Sequence, residues 1–180
     1  VRLFPHHLKG EGHFIAKLVN GEPKTIDKKR KKKNKRKKQS IVKPDKEQVK
    51  LFNQFATSVF PDYQPHQLIL FGDQLYDLPL EEDKIEGLNV LRPGLHLGTF
   101  KKNRFEPALA WALASLPQEA NRVIELSQEQ WHQYVHGDVI NIDADLPNGW
   151  YLLVCEEHTA GFGKLVGKTI KNFYPKGLRF

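Results

Sequence analysis

Eleven consecutive residues, Lys28 to Lys38, comprise ten lysines or arginines and one asparagine. Such a run cannot bury enough apolar surface to offset the entropy of ordering it, so no core passes through it. With Gly21 and Pro23 ahead of it, residues 20–43 read as a lysine-rich flexible linker that divides the chain into 1–19 and 44–180. The run also dominates the charge. The formal net charge is +7, and taking away those ten positive charges leaves −3. Any nucleic-acid surface on the rest of the chain is therefore a local patch and not a global field. An electrostatic arm that gathers RNA and a nuclear localisation signal are the other readings of the run.

A chain of 180 residues buries one ordinary core or two small ones. Its single cysteine, Cys155, lies in an apolar run, which argues against a disulfide scaffold or a thiolate metal cluster and suits a reducing cytoplasm. The apolar runs fall far short of a membrane span, and no secretory signal is visible, so no membrane partner is expected. With no methionine and an opening on Val1, the chain reads as a piece of a longer protein.

Short elements fill the remainder. Residues His13 to Leu18 alternate as a strand after a loop at Pro5 to Gly12, an edge pair in need of a sheet; His6, His7 and His13 have no cysteine or carboxylate ligand pattern near them and read as surface and loop histidines. Asp45 and Gln48 have capping-box spacing, and Val49, Phe52, Phe55, Ala56 and Val59 then recur at helical spacing up to Pro61. A hairpin is expected over Gln67–Phe71 and Leu75–Leu78 around Gly72-Asp73, and a second strand pair over Leu88–Arg92 and Leu95–Phe100 around Pro93-Gly94. Ala108 to Leu116 is apolar almost all round and predicts an interior helix stopped by Pro117. A strand at Arg122–Leu126 precedes the Ser127–Gln130 capping box of a helix ending at Gly137; strands at Asp138–Ile142 and Trp150–Glu156 follow. The fold class is α+β and β-rich, without the alternation of a doubly wound sheet.

The tempting catalytic motifs fail on spacing. A P-loop ending in Gly167-Lys168-Thr169 needs glycine where Phe162 stands, and the dinucleotide fingerprint begun at Gly161 and Gly163 finds its third glycine one residue late. His132 and His136 have zinc-protease spacing, but Gln133 replaces the catalytic glutamate. No catalytic residue and no metal ligand are assigned.

Two basic-aromatic clusters remain. Thr99 to Phe105 holds Lys101, Lys102 and Arg104 with Phe100 and Phe105; Gly161 to Phe180 holds Lys164, Lys168, Lys171, Lys176 and Arg179 with Phe162, Phe173 and Tyr174, and no acidic residue. Cations neutralise phosphates, aromatic faces stack on unpaired bases and glycines admit close backbone approach, a composition suited to single-stranded or looped RNA. Asn172 is a candidate base-edge or sugar contact, or simply the cap of a turn. The expected arrangement brings both clusters onto one exposed face. The other reading makes that face a docking surface for an acidic protein or for the catalytic domain of a longer parent protein.

Three stretches also carry a resemblance: Arg2 to Leu18, Leu91 to Pro107 and Gly167 to Arg179. Together they resemble the C-terminal half of bacterial ribosomal RNA cytosine-C5 methyltransferases of the NOL/NOP/Sun family. The resemblance implies that 1–19 is the terminal strand pair of a truncated S-adenosylmethionine-dependent domain. It implies that 44–118 is a small mixed α/β RNA-binding domain and 119–180 a β-rich PUA-like pseudobarrel. It further implies ribosomal RNA or the small ribosomal subunit, and the parent catalytic domain, as partners. The paired cysteines and cofactor-holding region of such enzymes are not in this sequence, so no cofactor is assigned to this chain itself. Relatives carry Ser-His where Ala108-Leu109 stand, and the lysine run is outside the family pattern.

Overall fold

The computed structural model describes residues 2–3, 13–14, 42–85 and 90–180, which fall into two units, Val1–Lys37 and Lys38–Phe180. In the first unit, β1 (Arg2–Leu3) pairs antiparallel with β2 (His13–Phe14), Arg2 opposite Phe14. The continuation of that strand to Leu18, the loop histidines His6 and His7 and the lysine run lie outside the described residues.

The second unit opens where the capping box predicts. Asp45 accepts from the Gln48 backbone N–H at 2.8 Å while Gln48 Oε1 accepts from the Asp45 N–H at 2.9 Å, and α1 runs Lys46–Val59. Its buried residues are Phe52, Phe55, Ala56 and Val59. Then β3 (Leu68–Phe71) and β4 (Gln74–Asp77) form the expected hairpin, with Gly72 in the left-handed region at φ 64°. Asp77 is buried and accepts from the Tyr63 hydroxyl at 2.8 Å and from the His66 and Gln67 N–H groups at 2.9 and 3.1 Å. That carboxylate ties the 63–67 loop to the sheet.

The second predicted strand pair is corrected. Residues 90–92 are not extended into a strand, and 88–89 lie outside the described residues. Instead β5 (Leu95–Lys101) pairs with β4 on one side and with β6 (Arg104–Pro107) on the other, giving the sheet order β3-β4-β5-β6. Pro107 ends a strand at the sheet edge, where its missing N–H costs no ladder bond. The α2 helix is also shorter and less interior than expected: it spans Leu109–Ala114, buries Trp111 and Ala112, and leaves Leu113 and Leu116 more than half exposed. An all-apolar sequence lost its helical face to solvent because only one side of a six-residue helix meets the sheet.

From there β7 (Val123–Glu125), α3 (Gln128–His136), β8 (Ile140–Asn141), β9 (Gly149–Cys155), β10 (His158–Val166) and β11 (Thr169–Asn172) complete the fold. Ser127 and Gln130 form the expected capping box, and Gly137 closes α3 in the left-handed conformation. The five strands run in the order β7-β9-β10-β11-β8, all antiparallel except β7 with β9. This is an α+β protein whose last part is a PUA-like pseudobarrel.

The apolar run Tyr151 to Val154 explains how the two sheets join. Successive strand residues point to opposite faces, and here both faces are buried. Leu152 and Val154 enter a core with Phe52, Phe55, Leu97, Phe105 and Trp111, whereas Tyr151 and Leu153 enter a second core with Tyr134, Ile140, Leu165 and Ile170. One strand thus belongs to both cores, so α1 and the four-stranded sheet pack directly on the pseudobarrel.

Candidate nucleic-acid interface

Register decides which cations meet. Phe162 lies opposite Leu152, and two residues further along the same face Lys164 lies opposite Trp150 on β9 and opposite Lys171 on β11. The first row is buried beneath α1 and α2. The second emerges beyond them as a strip of Trp150, Lys164 and Lys171.

That strip forms one wall of a groove of about 530 Å³. The opposite wall comes from Gln54 and Ser58 of α1 and from Asn103, Arg104 and Glu106 at the β5–β6 turn and β6. Arg122, just before β7, and Phe173, just after β11, also line it. Phe173 packs on Trp150 with ring centroids 4.4 Å apart, and Phe55 meets the same indole edge-on at 5.9 Å. The Lys164 ammonium stands 5.8 Å from the indole centroid. Arg122 donates to the Asn148 carbonyl at 3.3 Å and lies 5.6 Å from the Tyr151 ring. Arg104 Nε donates to Glu106 Oε1 at 2.7 Å. The result is an aromatic floor among four cations and a single carboxylate.

The sequence-derived candidates divide accordingly. Arg104, Lys164 and Lys171 line the groove. Lys101 and Lys102 do not line it: Lys101 pairs with Asp73 at 3.3 Å, while Lys102 is exposed at the β5–β6 turn. Lys168 pairs with Asp143 at 2.7 Å, and Lys176 is exposed in the 3-10 turn Lys176–Leu178. Arg179 donates to the Tyr174 carbonyl. Both Asn172 amide hydrogens are directed inward, to the carbonyls of Tyr134 at 2.7 Å and Asp138 at 2.8 Å, while its Oδ1 accepts from Tyr174 N–H.

The aromatics of the two clusters are corrected. Phe100, Phe105 and Phe162 are buried in the first core and offer no face to a base, and Tyr174 packs on Tyr134. Trp150 and Phe173 are the half-buried aromatics of the groove. Sequence reasoning passed over Trp150, Arg122 and Glu106. A signal for the lysine pair existed: Val166-Gly167-Lys168-Thr169 is a two-residue hairpin turn, and reading it so places Lys164 opposite Lys171, whereas Trp150 joins them only through the β9–β10 register.

Two comparisons bear on this arrangement. The profile of the methyltransferase RsmF PUA domain matches residues 121–180, and that of the RsmF rRNA methyltransferase first C-terminal domain matches residues 54–114. These two segments match an RsmF-type C-terminal region. Over 116 residues it is 29% identical to the ribosomal RNA small subunit methyltransferase F of Aeromonas salmonicida (strain A449), a stretch covering 63% of this chain and 24% of that protein. The chain thus spans about a quarter of that relative's length. The groove draws its walls from both matched segments: α1 and β6 from one, β9 to β11 and Arg122 from the other. No helix among the described residues is long and apolar enough to cross a membrane.

Proposed function

We propose that this chain is the RNA-recognition region of an S-adenosylmethionine-dependent small-subunit rRNA cytosine-5 methyltransferase of the cytoplasm, and that the groove between its two modules, 44–118 and 119–180, receives the RNA. The observation that carries the reading is the convergence of Arg104, Arg122, Lys164 and Lys171 around half-buried Trp150 and Phe173. Phosphate contacts position a strand, and an aromatic floor favours unpaired bases over duplex. Lys102 and Lys176, exposed outside the groove, supply weaker contacts along the flanking backbone.

The groove does not fit S-adenosylmethionine itself. Four cations around it oppose the cofactor's sulfonium, and the one carboxylate, Glu106, is engaged by Arg104. Cofactor and methyl transfer are assigned to the portion of the relatives beyond the matched segments, with this region orienting the substrate toward it.

Fluorescence anisotropy with a labelled hairpin RNA at several salt concentrations tests the reading. Reversing Lys164 and Lys171 to glutamate is expected to lower affinity at least about tenfold and to flatten the salt dependence by about 0.7 in log–log slope per lost phosphate contact. Reversing Lys102 and Lys176 removes less. Equal losses from both pairs would refute the groove as the RNA site; no loss from either, with binding to an acidic protein surface instead, would favour docking.

A further inference from the structure

A surface built only for phosphate would exclude carboxylates, yet Glu106 stands in this groove. Its side chain is 24% exposed, and Oε1 accepts from Arg104 Nε at 2.7 Å. Among the described residues no donor meets Oε2. A carboxylate repels phosphate but accepts from N–H groups on a base edge. Across the groove from it lies Trp150, whose indole is half-buried and whose neighbouring ammonium, Lys164, makes a loose 5.8 Å contact with it. A base entering the groove can take over that ring face while Lys164 turns to the phosphate with Lys171. The volume of about 530 Å³ accommodates one nucleotide and not a duplex.

The four bases differ at the edge they would present. Guanine offers N1–H and N2–H side by side, two parallel donors for one carboxylate. Adenine has an acceptor at N1, uracil flanks its single N–H with two carbonyl oxygens, and cytosine pairs its amino group with an acceptor at N3. We propose that the groove captures a single unpaired guanosine of the RNA, its ring on Trp150, its N1–H and N2–H directed to Glu106 and its phosphate between Lys164 and Lys171. The proposal rests on the RNA reading above and adds base choice to it.

The test uses the 180-residue chain and three labelled hairpins identical except for one nucleotide in a uridine loop: guanosine, inosine or uridine. Anisotropy is expected to rank guanosine tightest, uridine weaker by about tenfold, and inosine between them because it lacks the N2 amino group. Glu106→Gln, checked for native fold by circular dichroism, is expected to erase most of the guanosine preference, read as the ratio of guanosine-loop to uridine-loop affinity, so that the change common to both loops from freeing Arg104 cancels. Equal affinity of the unsubstituted chain for the three loops would overturn the proposal without touching the RNA reading, and this arm does not depend on any variant folding. A guanosine preference that survives Glu106→Gln would also overturn it, whereas absence of RNA binding altogether would remove both.

Discussion

Lys164 and Lys171 face one another directly across β10 and β11, and neither has a carboxylate partner among the described residues. Like charges in directly opposed positions destabilise a sheet by about 0.2–1 kcal/mol. Both side chains are exposed, so screening favours the lower half of that range, about 0.5 kcal/mol. Lys171→Glu converts the repulsion into an attraction of similar size, a net gain of roughly 0.5–1 kcal/mol. For a unit of this size that corresponds to a rise in melting temperature of about 1–4 °C. The same change removes one phosphate contact and adds a repulsive one, so RNA affinity falls while the fold is strengthened. Thermal unfolding followed by circular dichroism at low and high salt measures the first effect; anisotropy measures the second. At about 1 M salt, where the Debye length is about 3 Å, the stability gain should disappear. A lowered melting temperature, a gain that persists in high salt, or unchanged RNA affinity would each refute the idea that this lysine pair is kept for a ligand at a cost to the fold.

Other perturbations test the scaffold. Gly161 sits beside the register shift in β10 with φ at 153°, and an added Cβ would run into the Tyr134 hydroxyl, which donates to the Phe162 carbonyl at 2.9 Å; Gly161→Ala should cost about 2 kcal/mol or more by urea unfolding. Asp45→Ala removes the α1 cap and should cost about 1 kcal/mol in the same assay. Burial raises the ionisation of both Tyr63 and Tyr134 above the ordinary tyrosine value, helped at Tyr63 by its bond to the Asp77 carboxylate. A raised folded-state value means stability is full below about pH 10 and declines as pH climbs past it. Alkaline unfolding should therefore steepen above that point, and Tyr63→Phe should reduce the steepness.

Much of the local structure was legible without coordinates. Asp45 with Gln48 and Ser127 with Gln130 announced both capped helices, Gly137 announced a stop, and Gly72-Asp73 announced a hairpin, because each signal is completed within a few residues of chain. The misreadings arose where a neighbour distant in sequence decided the outcome. Leu95–Lys101 looked for its partner upstream and found one in β4 and another in β6. Phe100, Phe105 and Phe162, well placed in sequence for stacking on bases, were claimed by the core that α1, α2 and β9 build around them.

The linear order of residues determined the charge division at the lysine run, the capped helices and the kinds of side chain available for an RNA-binding surface. Tertiary structure alone decided which of those side chains share a surface. Trp150 meets Lys164 and Lys171 only through the register of three strands, and Arg104 and Glu106 reach them only because β9 lends its two faces to two cores and so draws the first sheet against the second. Capping energies are local, but the position of a charge in space is set by packing between segments far apart in the chain.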